Sequence, residues 1–196
     1  MQKAITVYCG SASDCRADFL EAAAGLGREI AARGVRLVTG AGHTGLMGAV
    51  VDACMAAGGQ ATGIIPQFMV DRGWHHRSMT ELIVVPDMHR RKELMAARAT
   101  GVIALPGGIG TFEELLEIIT WRQLGLFSGN VVIYNVDGYY SPLLAMIEAA
   151  VAAGFMRPDH RGLFTVATTA AQAVDAALAE NPETESDHAH QPRRQP

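Results

Sequence analysis

Lysine is almost missing from this 196-residue chain, which has only Lys3 and Lys92. Charged residues make up 18% of it and the formal net charge is −4. No basic field therefore exists to hold a nucleic-acid backbone. Long apolar runs are missing too, since glycine or charge breaks each of them well short of a membrane span. The opening residues, Met1 to Val7, lead straight into strand-like sequence and lack the apolar core and cleavage site of a signal peptide. Cysteine is limited to Cys9, Cys15 and Cys54. An odd number without metal-type spacing predicts reduced thiols in the cytosol. Cys54 reads as buried in an Ala-rich helix, and Cys9 sits at a strand end with no activating group beside it.

Apolar residues are plentiful, at 49%, a composition that builds a folded core. Strand-like runs alternate with helical patterns along the chain. Strands are predicted over Ala4–Cys9, Val35–Val38, Ala61–Ile65, Leu82–Val85, Val102–Leu105, Val131–Tyr134 and Phe164–Val166. Between them fall a helix with Phe19, Ala23, Leu26 and Ile30 on one face, one ending at Ala57, and others over Met88–Ala99, Phe112–Leu124, Leu143–Ala152 and Ala170–Ala179. Gln67–Met79 reads as a loop. Strict alternation predicts a single α/β domain over residues 1–180, a Rossmann-like doubly wound parallel sheet whose ligands bind beyond the carboxyl ends of the strands. Residues 181–196 read as a disordered polar tail, so its His188 and His190 have no fixed geometry for a metal.

Three segments fall at that sheet edge. Pro106-Gly107-Gly108-Ile109-Gly110-Thr111-Phe112-Glu113-Glu114 follows an apolar strand and opens a helix, an arrangement suited to an anion such as a 5′-phosphate. No Lys-Ser/Thr pair follows, so it is not a Walker loop. Thr111-x-x-Glu114 also fits a capping box, and the residues alone leave capping and ligand binding both open. Gly40-Ala41-Gly42-His43-Thr44-Gly45 has the G-x-G-x-x-G spacing but follows the second strand, and the next strand ends without an acid for a ribose hydroxyl. It reads as close packing beside a mononucleotide, or as a plain tight turn. Asp87-Met88-His89-Arg90-Arg91-Lys92 starts a helix and reads either as a solvated face or as cations for a phosphosugar.

The run DMHRRKELM, followed by ALPGGIGTFEELLEIITWRQLG, resembles the LONELY GUY (LOG) family of cytokinin riboside 5′-monophosphate phosphoribohydrolases, whose members have often been labelled lysine decarboxylases. The resemblance extends from VYCGSAS through GAGHTGLMG and AAGGQATGIIP to NVDGYYSPLL. It implies Arg91 and Glu114 as the catalytic pair. It implies Met88, Lys92, Gly107, Gly108, Ile109, Gly110 and Thr111 as substrate-binding, with Thr120 where the family places a substrate contact. It also implies a nucleoside 5′-monophosphate substrate, no cofactor or metal, and a homodimer or assembly of dimers. A decarboxylase would need a lysine for pyridoxal phosphate, and Lys92 already lies in the Arg-Lys motif. The rival class is a carrier, since proteins of the same fold superfamily bind molybdenum cofactor. Two departures stand out: Ala41 replaces a glycine, which is tolerated unless that residue needs a positive φ, and Arg72-Gly73 replaces an Arg-Glu pair. Trp74, His75 and His76 are expected to alter the base pocket.

Overall fold

A computed structural model describes residues 2–180; the predicted tail, with His188 and His190, lies outside the described residues. Seven strands form one parallel sheet: β1 (Ala4–Tyr8), β2 (Arg36–Thr39), β3 (Gln60–Pro66), β4 (Glu81–Val85), β5 (Gly101–Ala104), β6 (Asn130–Tyr134) and β7 (Thr165–Ala167). Their order across the sheet is β4-β3-β2-β1-β5-β6-β7. The chain thus winds outward from β1 to one edge, returns to β5 beside β1, and winds to the other edge. The expected doubly wound fold is present, with its topological switch point between β1 and β5.

Six helices connect the strands, α1 (Ala17–Ala32), α2 (Gly45–Ala56), α3 (Gln67–Asp71), α4 (Met88–Ala97), α5 (Ile109–Gln123) and α6 (Ser141–Ala152), and α7 (Ala170–Leu178) follows β7. Alternate residues of each strand point to opposite faces. Ile5, Val7, Leu37 and Ile103 pack with Leu26 and Ile30 of α1, Val50 and Cys54 of α2, and Val174 of α7. Ala4, Tyr8, Val38, Val102 and Ala104 pack on the other face with Met95 of α4 and Leu115 and Ile118 of α5. The central strands are buried on both faces, which is why they read as unbroken apolar runs. Cys54 is buried as expected.

Two sequence expectations are corrected. The predicted Gln67–Met79 loop opens with α3. Its five residues are too few to show a helical period. More consequentially, α5 begins at Ile109, with Gly108 as its N-cap, and not at Phe112. Thr111 therefore lies inside the first turn, and the capping box does not form: neither Thr111 nor Glu114 caps the helix. Among the described residues no helix is long and apolar enough to cross a membrane.

Candidate active site

The loops after β1, β2 and β5 meet over the switch point. Gly10 N donates to Pro106 O at 3.0 Å, Met47 N to Gly10 O at 3.2 Å, and Thr44 Oγ1 to Ser11 O at 2.6 Å. From the β6 side, Tyr139 Oη donates to Gly107 O and Tyr140 Oη to Leu105 O. These bonds enclose a cavity of about 1150 Å³ at the carboxyl edge, with Arg91 and Glu114 among its lining residues.

The glycines have separate tasks. A Cβ on Gly107 would fall 2.2 Å from Thr111 Oγ1 and 2.7 Å from Gly10 N, so only glycine lets those loops close. A Cβ on Gly108 or Gly110 would meet nothing within 4 Å, leaving an open cradle over the first turn of α5. The first N–H of that turn to find an intrahelical acceptor is Phe112 N, bonded to Gly108 O at 3.0 Å. The N–H groups before it are the positive end of the helix. Thr111 is buried in the same turn.

Arg91 is the buried member of the charge run. Arg90 pairs with Glu93 in solvent, but a step of one residue turns a helix by about 100° and carries Arg91 inward. Its Nε donates to Ile64 O at 3.2 Å and its Nη2 to Gly40 O at 3.1 Å. Its Nη1 lies 4.0 Å from Glu114 Oε1. The guanidinium thus uses two of its edges on the ends of β2 and β3 and presents the third to the carboxylate. Burial raises the Glu114 pKa from 4.5 to about 7, against the lowering pull of Arg91. Burial holds the Cys9 thiol, which lines the same cavity, far above its ordinary range, so it is no nucleophile.

Gly40 leaves the space that Arg91 fills: a Cβ there would sit 1.6 Å from Nη2 and 2.7 Å from Cζ. We expect Gly40→Ala to displace the guanidinium and lower kcat/KM by about 100-fold in the activity proposed below. Its melting temperature should fall as well, because a displaced guanidinium releases the buried Gly40 and Ile64 carbonyls; thermal denaturation beside the rate assay checks both.

The neighbouring departure is resolved as well. Ala41 has φ 61°, the left-handed region in which an L-residue carries a cost of about 1 kcal/mol. Its N–H donates to Thr39 Oγ1 at 3.1 Å and its carbonyl accepts from His76 N at 2.8 Å. Its methyl occupies the space above Gly63, where a second Cβ would come within 2.5 Å. His76 is buried; its Nδ1 accepts from Ser78 N at 3.2 Å, so its Nε2 carries the proton facing Asp52 Oδ1 at 3.0 Å. It therefore braces the Ala41 loop and does not line the cavity, and nor does His75. Trp74 does, with Met69 beside it. The Arg72 guanidinium lies 4.9 Å from the Trp74 ring centroid.

Of the residues expected at the site, Met88, Arg91, Gly107, Gly108, Gly110, Thr111 and Glu114 line this one cavity. Three do not line it. Lys92 Nζ pairs with Glu113 and, at 3.0 Å, with Glu117, and it faces along α5. The Ile109 side chain is exposed. Thr120 is exposed, and its hydroxyl donates to Leu116 O, one turn back, at 2.8 Å. Tyr139, Arg16 and Met69 line the cavity with no signal in the sequence, because the fold brings them in from other loops. Among the described residues no cluster of three or more His, Cys, Asp or Glu side chains could hold a metal.

Known proteins resemble the chain in the segments that build this cavity. The profile of the family described as "Possible lysine decarboxylase" matches residues 47–177. No lysine lines the cavity to serve such chemistry. A cytokinin riboside 5′-monophosphate phosphoribohydrolase of Arabidopsis thaliana, LOG5, is 44% identical over 180 residues, 92% of this chain and 79% of that protein. The rice enzyme of that name, LOG, is 45% identical over 170 residues, 87% of this chain and 70% of that protein. Among solved structures, the molybdenum cofactor carrier protein of Chlamydomonas reinhardtii superposes with a TM-score of 0.70 at 23% identity, over 90% of this chain and 96% of that one. That likeness establishes the fold alone. On the strength of sequence identity held over nearly its full length, the chain belongs to the LOG family of cytokinin riboside 5′-monophosphate phosphoribohydrolases.

Proposed function

We propose that this protein hydrolyses the N-glycosidic bond of a purine nucleoside 5′-monophosphate, AMP or an N6-substituted form, to free base and ribose 5-phosphate. The observation that carries the proposal is a buried carboxylate, Glu114, set against Arg91 one turn from an open glycine cradle at a helix N-terminus. The phosphate sits in that cradle, on Gly108, Gly110, the Ile109 backbone and Thr111. Neighbouring strands lie about 4.8 Å apart, so the step from β5 across β1 to β2 and β3 covers about 10–14 Å. That is the reach of one extended mononucleotide. The base then lies toward Met47, Met69 and Trp74, and the sugar above Glu114.

Cleavage breaks the C1′–N bond through a transition state with cationic character on the sugar. Ionised Glu114 stabilises that charge and takes a proton from the attacking water, whose oxygen bonds to C1′. The departing base leaves with the bonding pair and receives the proton that Glu114 took from the water, which returns the carboxylate to its ionised form. Arg91 keeps the carboxylate in place and partly ionised. The cavity exceeds the roughly 300–1,000 Å³ of ordinary small-ligand sites, which supports room for an apolar N6 group beside Trp74. The three free cysteines support a reducing, cytosolic setting. Exposed Leu116, Leu124 and Leu126, on and just beyond α5, support a homodimer.

The test is base release, followed by chromatography, from AMP, N6-isopentenyladenosine monophosphate and their nucleosides. The nucleotides should exceed the nucleosides by at least about 100-fold in kcat/KM, because phosphate binding positions the scissile bond. Equal turnover of nucleotide and nucleoside would remove the phosphate from the cradle. Pterin retained without any base release would transfer the protein to the carrier class.

A further inference from the structure

The ionic groups lining the cavity are unevenly matched to a phosphate dianion. Three are carboxylates, Asp14, Glu113 and Glu114, and two are guanidinium groups, Arg91 and Arg16. Arg91 is already committed to the Ile64 and Gly40 carbonyls and to Glu114. Lys92 does not line the cavity, and it is engaged by Glu117 and by Glu113, which does. With Glu113 paired to Lys92 and Glu114 facing Arg91, an anion at the glycine cradle would meet neutral N–H donors and a helix end, with one lining guanidinium left to balance it.

That cation is Arg16, on the loop between β1 and α1. Its guanidinium lies 4.7 Å from the centroid of the Phe19 ring. Phe19 meets the Tyr139 ring edge-on at 5.5 Å, and Tyr139 is bonded to Gly107 O. Arg16 thus lines the same cavity as the cradle and is linked to it through Phe19 and Tyr139. Its present partners are Asp18 and, at 2.6 Å, Asp137, in pairs open to solvent on both sides. Exposed pairs of this kind are weakly held and exchange readily, and a phosphate offers the same fork a doubly charged acceptor.

We propose that Arg16 is a phosphate-binding residue, held by Asp18 and Asp137 until it transfers to the substrate's 5′-phosphate. This rests on the phosphoribohydrolase reading for the identity of the ligand, but the phosphate contact can be measured without turnover. Transfer of Arg16 draws the loop after β1 toward the cradle and leaves Asp137, itself at φ 47° in the turn after β6, to solvent. Asp137 then competes with the phosphate for Arg16. Two substitutions at one ion pair should consequently have opposite effects.

The test is calorimetric titration with ribose 5-phosphate, which has no glycosidic bond to cleave, with ribose as the uncharged control. Arg16→Ala is expected to weaken ribose 5-phosphate about 10- to 100-fold, the loss of a charge-assisted contact, and Arg16→Lys to recover part of that. Asp137→Asn should bind as tightly as wild type or a few-fold tighter, and asparagine suits its backbone. Arg16→Ala within twofold of wild type would overturn the proposal. So would equal weakening by Arg16→Ala and Asp137→Asn, since the pair would then act only as a brace between loops. If the wild-type protein binds ribose 5-phosphate but releases no base from any nucleotide, the hydrolase reading fails while the Arg16 contact stands.

Discussion

Replacing Glu114 by glutamine should abolish base release and, at alkaline pH, make the protein more stable. Glutamine keeps the shape but carries no charge to oppose the sugar cation and cannot accept a proton from water. The expected loss in kcat is about 1000-fold. The stability effect follows from burial, which raises the Glu114 pKa from 4.5 to about 7. Below pH 4.5 the folded and unfolded chains both hold the proton, and the folded state has its full advantage. As the pH rises from 4.5 to 7 the unfolded chain releases the proton first, so stability is lost across that window and levels off above it. The whole ramp is on the order of 3 kcal/mol. Glutamine has no such ramp. Urea denaturation should therefore give similar stabilities for the two proteins near pH 4.5 and a clear advantage for Glu114→Gln at pH 8. A constant difference at both pH values would mean that Glu114 is ionised throughout. In the wild type, activity should fall below pH 7 as the carboxylate protonates.

Arg91→Met should be costly in both respects. Methionine fills much of the volume but leaves Gly40 O and Ile64 O without their donors in a buried place. Each orphaned carbonyl costs about 1–3 kcal/mol, so for the two a fall of about 2–6 kcal/mol in stability is expected. Activity should fall about 100- to 1000-fold. The residual activity carries a sharper signature. Arg91 lowers the Glu114 pKa, so without it the acid limb of the pH–rate profile moves upward from 7. A residual profile with its limb unmoved would show that the two side chains are not coupled. Arg91→Lys should rescue little, because one ammonium cannot reach both carbonyls and still face the carboxylate.

Much of the fold was legible because the sheet is buried on both faces. Val102 to Leu105 and Val131 to Ile133 are apolar at every position, and glycine or proline punctuates the loops between elements. The start of α5 was misplaced for a physical reason: Gly108 caps the helix without a side chain, while Thr111 and Glu114 imitate a capping pair three residues later. Arg91 was legible as a candidate and its burial was not, because three of the four residues from Arg90 to Glu93 are ordinary charged positions. Lys92 and Thr120 came from the same family pattern, yet one is consumed by Glu113 and Glu117 and the other by its own helix. Ala41 shows the reverse case: the condition for strain was readable, but only the backbone reveals a positive φ. His76, bracing that loop, looked like a pocket residue because its partner Asp52 lies 24 positions away.

The placement of β1 has a bearing on biosynthesis. This strand ends at the centre of the sheet, but its neighbour on one side is β5, with Ile5 opposite Gly101. A ribosome adds about 5–20 residues per second, so the emerging chain carries an open central edge for about 5–20 s before β5 can cover it. β2, β3 and the helix that bears Arg91 also precede β5 along the chain, as do both main-chain acceptors of Arg91. Glu114 arrives only with the second half. Arg91 and the two carbonyls it bonds thus all precede Glu114 along the chain, so the acid that must be buried follows the cation it faces.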